Sequence, residues 1–369
     1  MRRKLFTFLV AFLATLSGAV WGQETTIDLS NHSVSGDGAS IDEVTKTITI
    51  NQAGNYVITG STTEYQVSIG STSGTGAVNV TLSDVTIELS GDYDNPIQII
   101  ERNTLDVILN IEGENLVSAN NKRAGITVHN GSSLTIKGTG ILRAKGWCGI
   151  GNAIGACGNI TIESGTVVAE GTTWCIGGEQ SATTGNEPTL AMTGDALLVV
   201  YDESDNRNRG IFNMKYWGSD VEDPKTTHPE EGIYCNAKNQ AGADHLVGSL
   251  YDNVTLNSPF PSDNFVVDLN GNTLTLGKGS YARKDQITGS GTLYAYDVTY
   301  DLNKDLGDYE LSIADEKPYT SIYCGPGVDL AVLPTATNSG PSWQCLVGLA
   351  IRHPIKQHLS QLTIYQILL

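Results

Sequence analysis

Trp147 and Trp174 each precede a cysteine, Cys148 and Cys175, and one interval separates both pairs, a match of type and spacing that implies surface chemistry. Side chains alternate across a strand, so cysteines turned to a core place their tryptophan neighbours outside. An indole face packs on the C–H face of a pyranose ring, while Arg and Asn hydrogen-bond its hydroxyls. One coil earlier the aligned residue is Arg123 and one coil later it is Asn208 or Arg209, so the column reads Arg, Trp, Trp, Asn or Arg. The plainer reading is that both indoles pack at a bend with their N–H groups satisfied locally. Tyr216 and Trp217 extend such a surface or anchor their own loop. Cys148 and Cys175 read as stacked buried thiols or as a disulfide, since a bridge also demands suitable Cβ directions. Cys157, Cys235, Cys324 and Cys345 show no resolvable pairing.

Acidic residues offer a second chemistry. Asp202, Glu203 and Asp205 precede Arg207 and Arg209, a set able to hold Ca²⁺ beside a cation that acts on a sugar C–H. Asp92 and Asp94 form another short acidic turn, and Asp220, Glu222 and Asp223 fall in the long interruption at residues 202–231. A solvated charged loop is the plainer reading of each. No cofactor is required, and Ca²⁺ is the one these clusters admit. Gly277-Lys278-Gly279-Ser280 lacks the spacing of a phosphate loop, and His228-Pro229-Glu230-Glu231 has no second His at the interval zinc needs.

The elements that would position these residues announce themselves as a repeat. A four-residue unit, apolar at its second and fourth places, recurs at residues 79–82, 106–109, 133–136, 159–162 and 189–192. Its last residues, Leu82, Leu109, Ile136, Ile162 and Met192, are 27, 27, 26 and 30 apart. Turns follow the later units (Lys137-Gly138-Thr139-Gly140, Glu163-Ser164-Gly165, Thr193-Gly194-Asp195), then second apolar pairs: Leu142 and Ala144, Val167 and Ala169, Leu197 and Val199. Gly-Ile recurs at Gly125, Gly149, Gly210 and Gly232. Alternation marks strands with one buried face, and the constant interval means that successive strands stack rather than pair as hairpins. Three short strands in about 27 residues describe one coil of a parallel β-solenoid, its strands ~4.8 Å apart along the stack. The fold class is all-β, a parallel β-helix of about 27-residue coils with an N-terminal cap and an irregular C-terminal tail.

Composition bounds the partners. The 369 residues hold 22 Lys+Arg against 40 Asp+Glu, a net charge of −18, which argues against nucleic acid and anionic membrane held by charge. Residues 1–22 carry Arg2, Arg3 and Lys4, then an apolar stretch and small Gly22, the pattern of a secretory signal peptide. Its removal leaves 19 basic against 40 acidic residues. No later run approaches the ~18 apolar residues of a membrane span. From Leu330 onward there is no Asp or Glu, an abrupt change that reads as a capping strand, a sorting tail or an out-of-frame translation. The expected organisation is a signal peptide at 1–22, a cap at 23–53, the β-helix at 54–325 (core repeats 78–236, looser coils 237–325) and an atypical tail at 326–369. A monomer is expected, exported to the medium, the outer cell surface or the periplasm.

From Asn55-Tyr56-Val57-Ile58-Thr59-Gly60 through Leu134-Thr135-Ile136-Lys137-Gly138 to Gly149-Ile150-Gly151 and Ile176-Gly177-Gly178, the chain resembles bacterial secreted carbohydrate-binding β-helix proteins within the pectate-lyase-like superfold. The resemblance covers residues 54–236 well and 237–325 loosely, and its turn glycines and strand pairs specify fold better than ligand. It implies a right-handed parallel β-helix, surface-exposed or secreted and associated with polysaccharide. Neither the Asp-Asp pair nor the Gly-His-Gly triplet of polygalacturonase-like relatives occurs, so a non-catalytic binding protein is favoured over a lyase or hydrolase, or an adhesin or spacer.

Overall fold

The structure, a computed structural model, describes residues 24–92, 94–120, 122–181, 187–202, 210–216, 229, 231–236, 246–262, 264–277, 286–295, 311–313, 320–322 and 328–332. The expected signal peptide and most of the atypical tail lie outside these residues. The described chain is built of β-strands, and its first part is a solenoid of about six coils with three faces.

Face A stacks Thr47–Ile50, Gln66–Ile69, Ile97–Ile99, Ala124–Val128, the second parts of Ile141–Asn152 and Thr166–Gly178, and Ile211–Phe212. Face B stacks Thr25–Asp28, the first parts of Gly54–Thr62 and Ala77–Glu88, then Asp106–Glu112, Ser133–Gly138, Asn159–Ile162, Thr189–Met192 and Lys215–Tyr216. Face C takes the ends of the two long early strands, Glu114–Ser118, the first parts of Ile141–Asn152 and Thr166–Gly178, Leu197–Asp202 and Ile233–Asn236. Within each face neighbouring coils pair in parallel.

The alternation read from the sequence is the alternation seen. In Ser133–Gly138, Leu134 and Ile136 are buried while Ser133 is exposed and Thr135 half-buried. Each fully buried Ile, Leu or Val adds roughly 1.5–3 kcal/mol of apolar burial, and one continuous core runs from Ile27 to Met214. A bare parallel edge would template aggregation. At the N-terminal end, Ser33–Ser35 pairs antiparallel with Thr25–Asp28, and Ala39–Asp42 pairs antiparallel with Thr47–Ile50.

The register differs from expectation in two places. Leu109 pairs with Val80 rather than Leu82, whose partner is Ile111, so the first step is longer than expected by two. The later steps, Leu109 to Ile136, Ile136 to Ile162 and Ile162 to Met192, are as read. A slip of two residues keeps the same face inward, which is why alternation alone could not reveal it. On face C, Val167 and Ala169 pair with Leu198 and Val200, one residue beyond the expected Leu197 and Val199. All four residues are buried, so the strand has no polar side to fix its phase; parallel strands covered on both faces read as continuous apolar runs.

What covers the outer side of that strand is a second unit. After Ile233–Asn236 the sheet continues with Leu246–Leu250, which pairs antiparallel with it, then with Phe265–Asp268 and Ile287–Thr288 in parallel. A facing sheet stacks Val254–Leu256, Thr273–Leu276, Gly291–Ala295 and Val328–Val332. Its coils are shorter, with two strands each: Leu246 pairs with Phe265, Val254 with Leu274, Val267 with Ile287 and Leu274 with Leu293, steps of 19 or 20. Residues 237–325 were expected as looser coils of one helix; the strands are present, but their direction is reversed and their core lies on the opposite side of the shared sheet. Val168, Leu197, Val199, Ile233 and Cys235 point into that second core, with Leu250, Phe260, Phe265 and Leu274. Paired backbone continues to Val332, beyond residue 325.

Candidate functional site

The corner where face C turns into face A carries the tryptophans. Trp147 N–H donates to Arg123 O at 2.8 Å, so these two residues are aligned as expected. Trp174 is not aligned with Trp147: the register shifts between Gly146 and Cys148, and Trp174 pairs with Cys148. The cause is a bulge. Gly171 to Trp174 spans three steps opposite the two from Gly146 to Cys148, and toward the next coil Cys175 N–H and Ile176 N–H both donate to Gly210 O, at 3.1 and 2.9 Å. Cys175 thereby joins the main core, whereas Cys148 and Trp174 form a separate cluster with Ala124 and Ala153. Of the alternative readings, the stack of two thiols under two exposed indoles is not formed, and the indoles pack at the bend as in the plainer reading.

Trp174 is only 3 % exposed, which leaves no ring face for a ligand. Trp147 packs edge-on against it at 6.5 Å and 86°, and Phe212 closes the other side at 5.5 Å. The floor beneath this cluster includes Gly177, whose φ of 126° and 1.9 Å Cβ distance to Phe212 O admit glycine alone. Among the described residues, the indole N–H groups of Trp147 and Trp174 find no oxygen acceptor. Trp147 and Arg123 remain half-buried, so part of Trp147 faces solvent.

The acidic clusters stand apart from this corner. Asp92 accepts from Lys122 Nζ and, at 3.1 Å, from Asn120 Nδ2, so its carboxylate is held below the usual range by cations and amides of the protein itself. Asp94 is exposed nearby. Among the described residues no three His, Cys, Asp or Glu side chains gather as a metal site would require. Asp202 ends its strand with backbone paired to Gly171. Tyr216 is placed only as backbone at the end of face B. Glu203, Asp205, Asn208, Arg209 and Trp217 lie outside the described residues.

The four described cysteines, Cys148, Cys157, Cys175 and Cys235, are buried. Burial pushes the thiols of Cys157 and Cys235 up to about 12 and that of Cys148 well above its ordinary value, which keeps them protonated and poorly nucleophilic.

A different corner, between faces B and C, forms an open cleft of about 540 Å³. Its lining is Asn110, Lys137, Gly138, Thr139, Ser164, Asp195 and Asn257. All but Asn257 come from consecutive coils, so the coils add polar groups in steps of ~4.8 Å along the stack. Ser164 Oγ accepts from Gly138 N–H at 2.9 Å, joining two of these turns. Asn110 Nδ2 donates to Glu112 Oε1 at 3.3 Å. Lys137 is half-buried and has no ion-pair partner among the described residues, leaving its ammonium available. Asn257 comes from the second unit and donates through Nδ2 to Asp195 Oδ2 at 2.8 Å. Segment 257–261 is fixed over face C by Thr166 Oγ1 donating to Pro259 O at 2.6 Å and by Arg143 donating to Pro261 O.

The turns Lys137-Gly138-Thr139-Gly140, Glu163-Ser164-Gly165 and Thr193-Gly194-Asp195 were legible as turns, yet only as punctuation between strands. Their recurrence with polar residues was the signal that they share one edge. Nothing in the sequence placed Asn257 opposite them.

Comparison with family models finds one whose description is carbohydrate-binding domain-containing protein, matching residues 44–222. That span begins just before the first strand of face A and runs through the coils of the first solenoid. Comparison with curated proteins and with solved structures gives no match.

Proposed function

We propose that this chain is an exported protein that binds polysaccharide without cleaving it, holding the glycan in the cleft between faces B and C. The observation that carries this reading is the overlap of the carbohydrate-binding family match with the coils whose turns supply Asn110, Lys137, Ser164 and Asp195. Hydroxyl, amide and ammonium groups arrayed along an open trough complement a hydroxyl-rich chain, and a few such groups fix orientation. Binding without cleavage is favoured by the lining itself. It holds one carboxylate, Asp195, whereas glycoside hydrolysis uses two flanking the scissile bond.

Trp147, with Arg123 beside it, is a secondary contact for the same polymer, since it alone of the tryptophan pair keeps exposed surface. The N-terminal Arg2, Arg3 and Lys4 followed by apolar residues support export, and the acidic composition supports a glycan over a nucleic-acid partner. The test is retention of the full-length mature protein on a panel of immobilised plant, bacterial and animal polysaccharides. Selective retention, weakened by Lys137→Ala and without release of reducing-end or unsaturated sugar, is expected. No retention of a folded sample across the panel, or release of sugar, contradicts the reading.

A further inference from the structure

Building on the carbohydrate reading of the cleft, we infer that Asp195 and Asn257 together form a reader of unsubstituted vicinal hydroxyls, and that the second unit is therefore part of the recognition surface. The family match ends at residue 222, so nothing in it assigns Asn257.

The argument is one of hydrogen-bond inventory. The Asn257 carboxamide has two N–H donors and a carbonyl oxygen. One N–H is given to Asp195 Oδ2, at 2.8 Å, and this contact fixes which end of the amide is nitrogen. The carbonyl end lies beside Gly277, where a Cβ would come within 1.9 Å of Asn257 Oδ1, so the absent side chain leaves room for this placement of the amide. With one N–H engaged by Asp195, the amide keeps a second N–H donor beside it, and Asp195 keeps acceptor capacity on its carboxylate. A donor and an acceptor side by side on the wall of a cleft match two adjacent hydroxyls of one sugar ring. The acceptor takes a hydrogen bond from one hydroxyl and the donor gives one to the oxygen of the next. An acetyl or methyl group on either oxygen removes the hydroxyl proton or blocks approach, and leaves a polar group of the cleft unpaired.

Rigidity of the second wall supports the assignment. Segment 257–261 is held by Phe260, 3 % exposed within the second core, and by Ser258, whose Oγ lies 3.1 Å from Thr166 Oγ1. A group on so fixed a segment gives geometric selection instead of adaptable contact.

The experiment compares binding of the full-length protein to a polysaccharide that it retains and to the same polymer O-acetylated at its secondary hydroxyls. The wild type is expected to bind the acetylated polymer at least about tenfold more weakly. Asn257→Ala and the near-isosteric Asp195→Asn are each expected to weaken binding of the native polymer about tenfold and to narrow the gap between the two polymers, with unchanged thermal melting. Lys137→Ala is expected to weaken both polymers and keep their ratio. Equal binding of both polymers by the wild type overturns the inference, as does full discrimination in either pair variant. If Lys137→Ala loses binding and the pair variants do not, the cleft reading stands and the inference falls. If the wild type retains no polysaccharide, both fall.

Discussion

In the first solenoid three strands per coil wrap a core of their own, with partners mostly separated by 24 to 31 in the sequence; in the second, two strands repeat at steps of 19 or 20 as far as Leu293. Three faces enclose a core without outside help. Two facing sheets leave it open at the side, and here Val168, Leu197 and Val199 of the first unit close it. The dependence runs one way: the second unit borrows a wall that the first must bury in any case. That shared strand also explains why the cleft lies at the junction, since it is there that the second unit rises beside the turns of the first.

The largest test of this asymmetry uses two adjacent leucines. Leu198→Ala opens the first core and Leu197→Ala the second, each at about 2–5 kcal/mol for a buried Leu truncation. Leu198→Ala is expected to lower melting of the whole molecule. Leu197→Ala should expose segment 246–293 to limited proteolysis while the first solenoid melts near its wild-type temperature; equal loss of both units would remove the asymmetry.

Next in size is Asn115, a buried residue that accepts from Val85 N–H at 3.0 Å and donates to Ile141 O at 3.2 Å, tying three coils together. Asn115→Ala strands those backbone groups at about 1–3 kcal/mol. Urea unfolding should report the loss in the first unit's transition.

A gentler probe needs no mutation. Cys157 belongs to the first core and Cys235 to the second, and both thiols are buried and protonated. Alkylation at neutral pH then reports opening of each core. Cys235 is expected to react before Cys157, and the reverse order would contradict a borrowed wall.

The smallest expected effect is electrostatic. Burial holds the His129 pKa below the ordinary imidazole value, with the Glu101 carboxylate opposing and Arg123 reinforcing. The unfolded chain therefore takes up this proton more readily, so its contribution to stability is present above about pH 6.5 and is lost as pH falls through the folded value. Melting temperature against pH should show a slope that His129→Gln diminishes.

The first solenoid is readable because its strands alternate: one residue in two is apolar in Leu134-Thr135-Ile136, and turns punctuate the coils. Legibility fails where alternation does. Leu197-Leu198-Val199-Val200 is apolar throughout because both sides are covered, and so its phase reads one residue off. The short period of the second unit shows in the sequence as the intervals from Val254 to Leu274 and from Leu274 to Leu293, and two such intervals carry less weight than four near 27. The tryptophan pair misleads for a local reason, a bulge that no spacing rule reports. The cleft stays hidden because it joins residues 110, 137, 164 and 195 to residue 257, which only the folded junction brings together.

The central claim is that glycan is held chiefly in the junction cleft, with the tryptophan corner no more than a secondary contact. It is tested most directly by equilibrium binding of a retained polysaccharide to the wild-type protein, to Lys137→Ala combined with Asn110→Ala, and to Trp147→Ala, each checked for wild-type melting. The account predicts loss of at least about tenfold in the cleft variant and a change of no more than about threefold in Trp147→Ala. Binding that survives in the cleft variant and disappears in Trp147→Ala would contradict it.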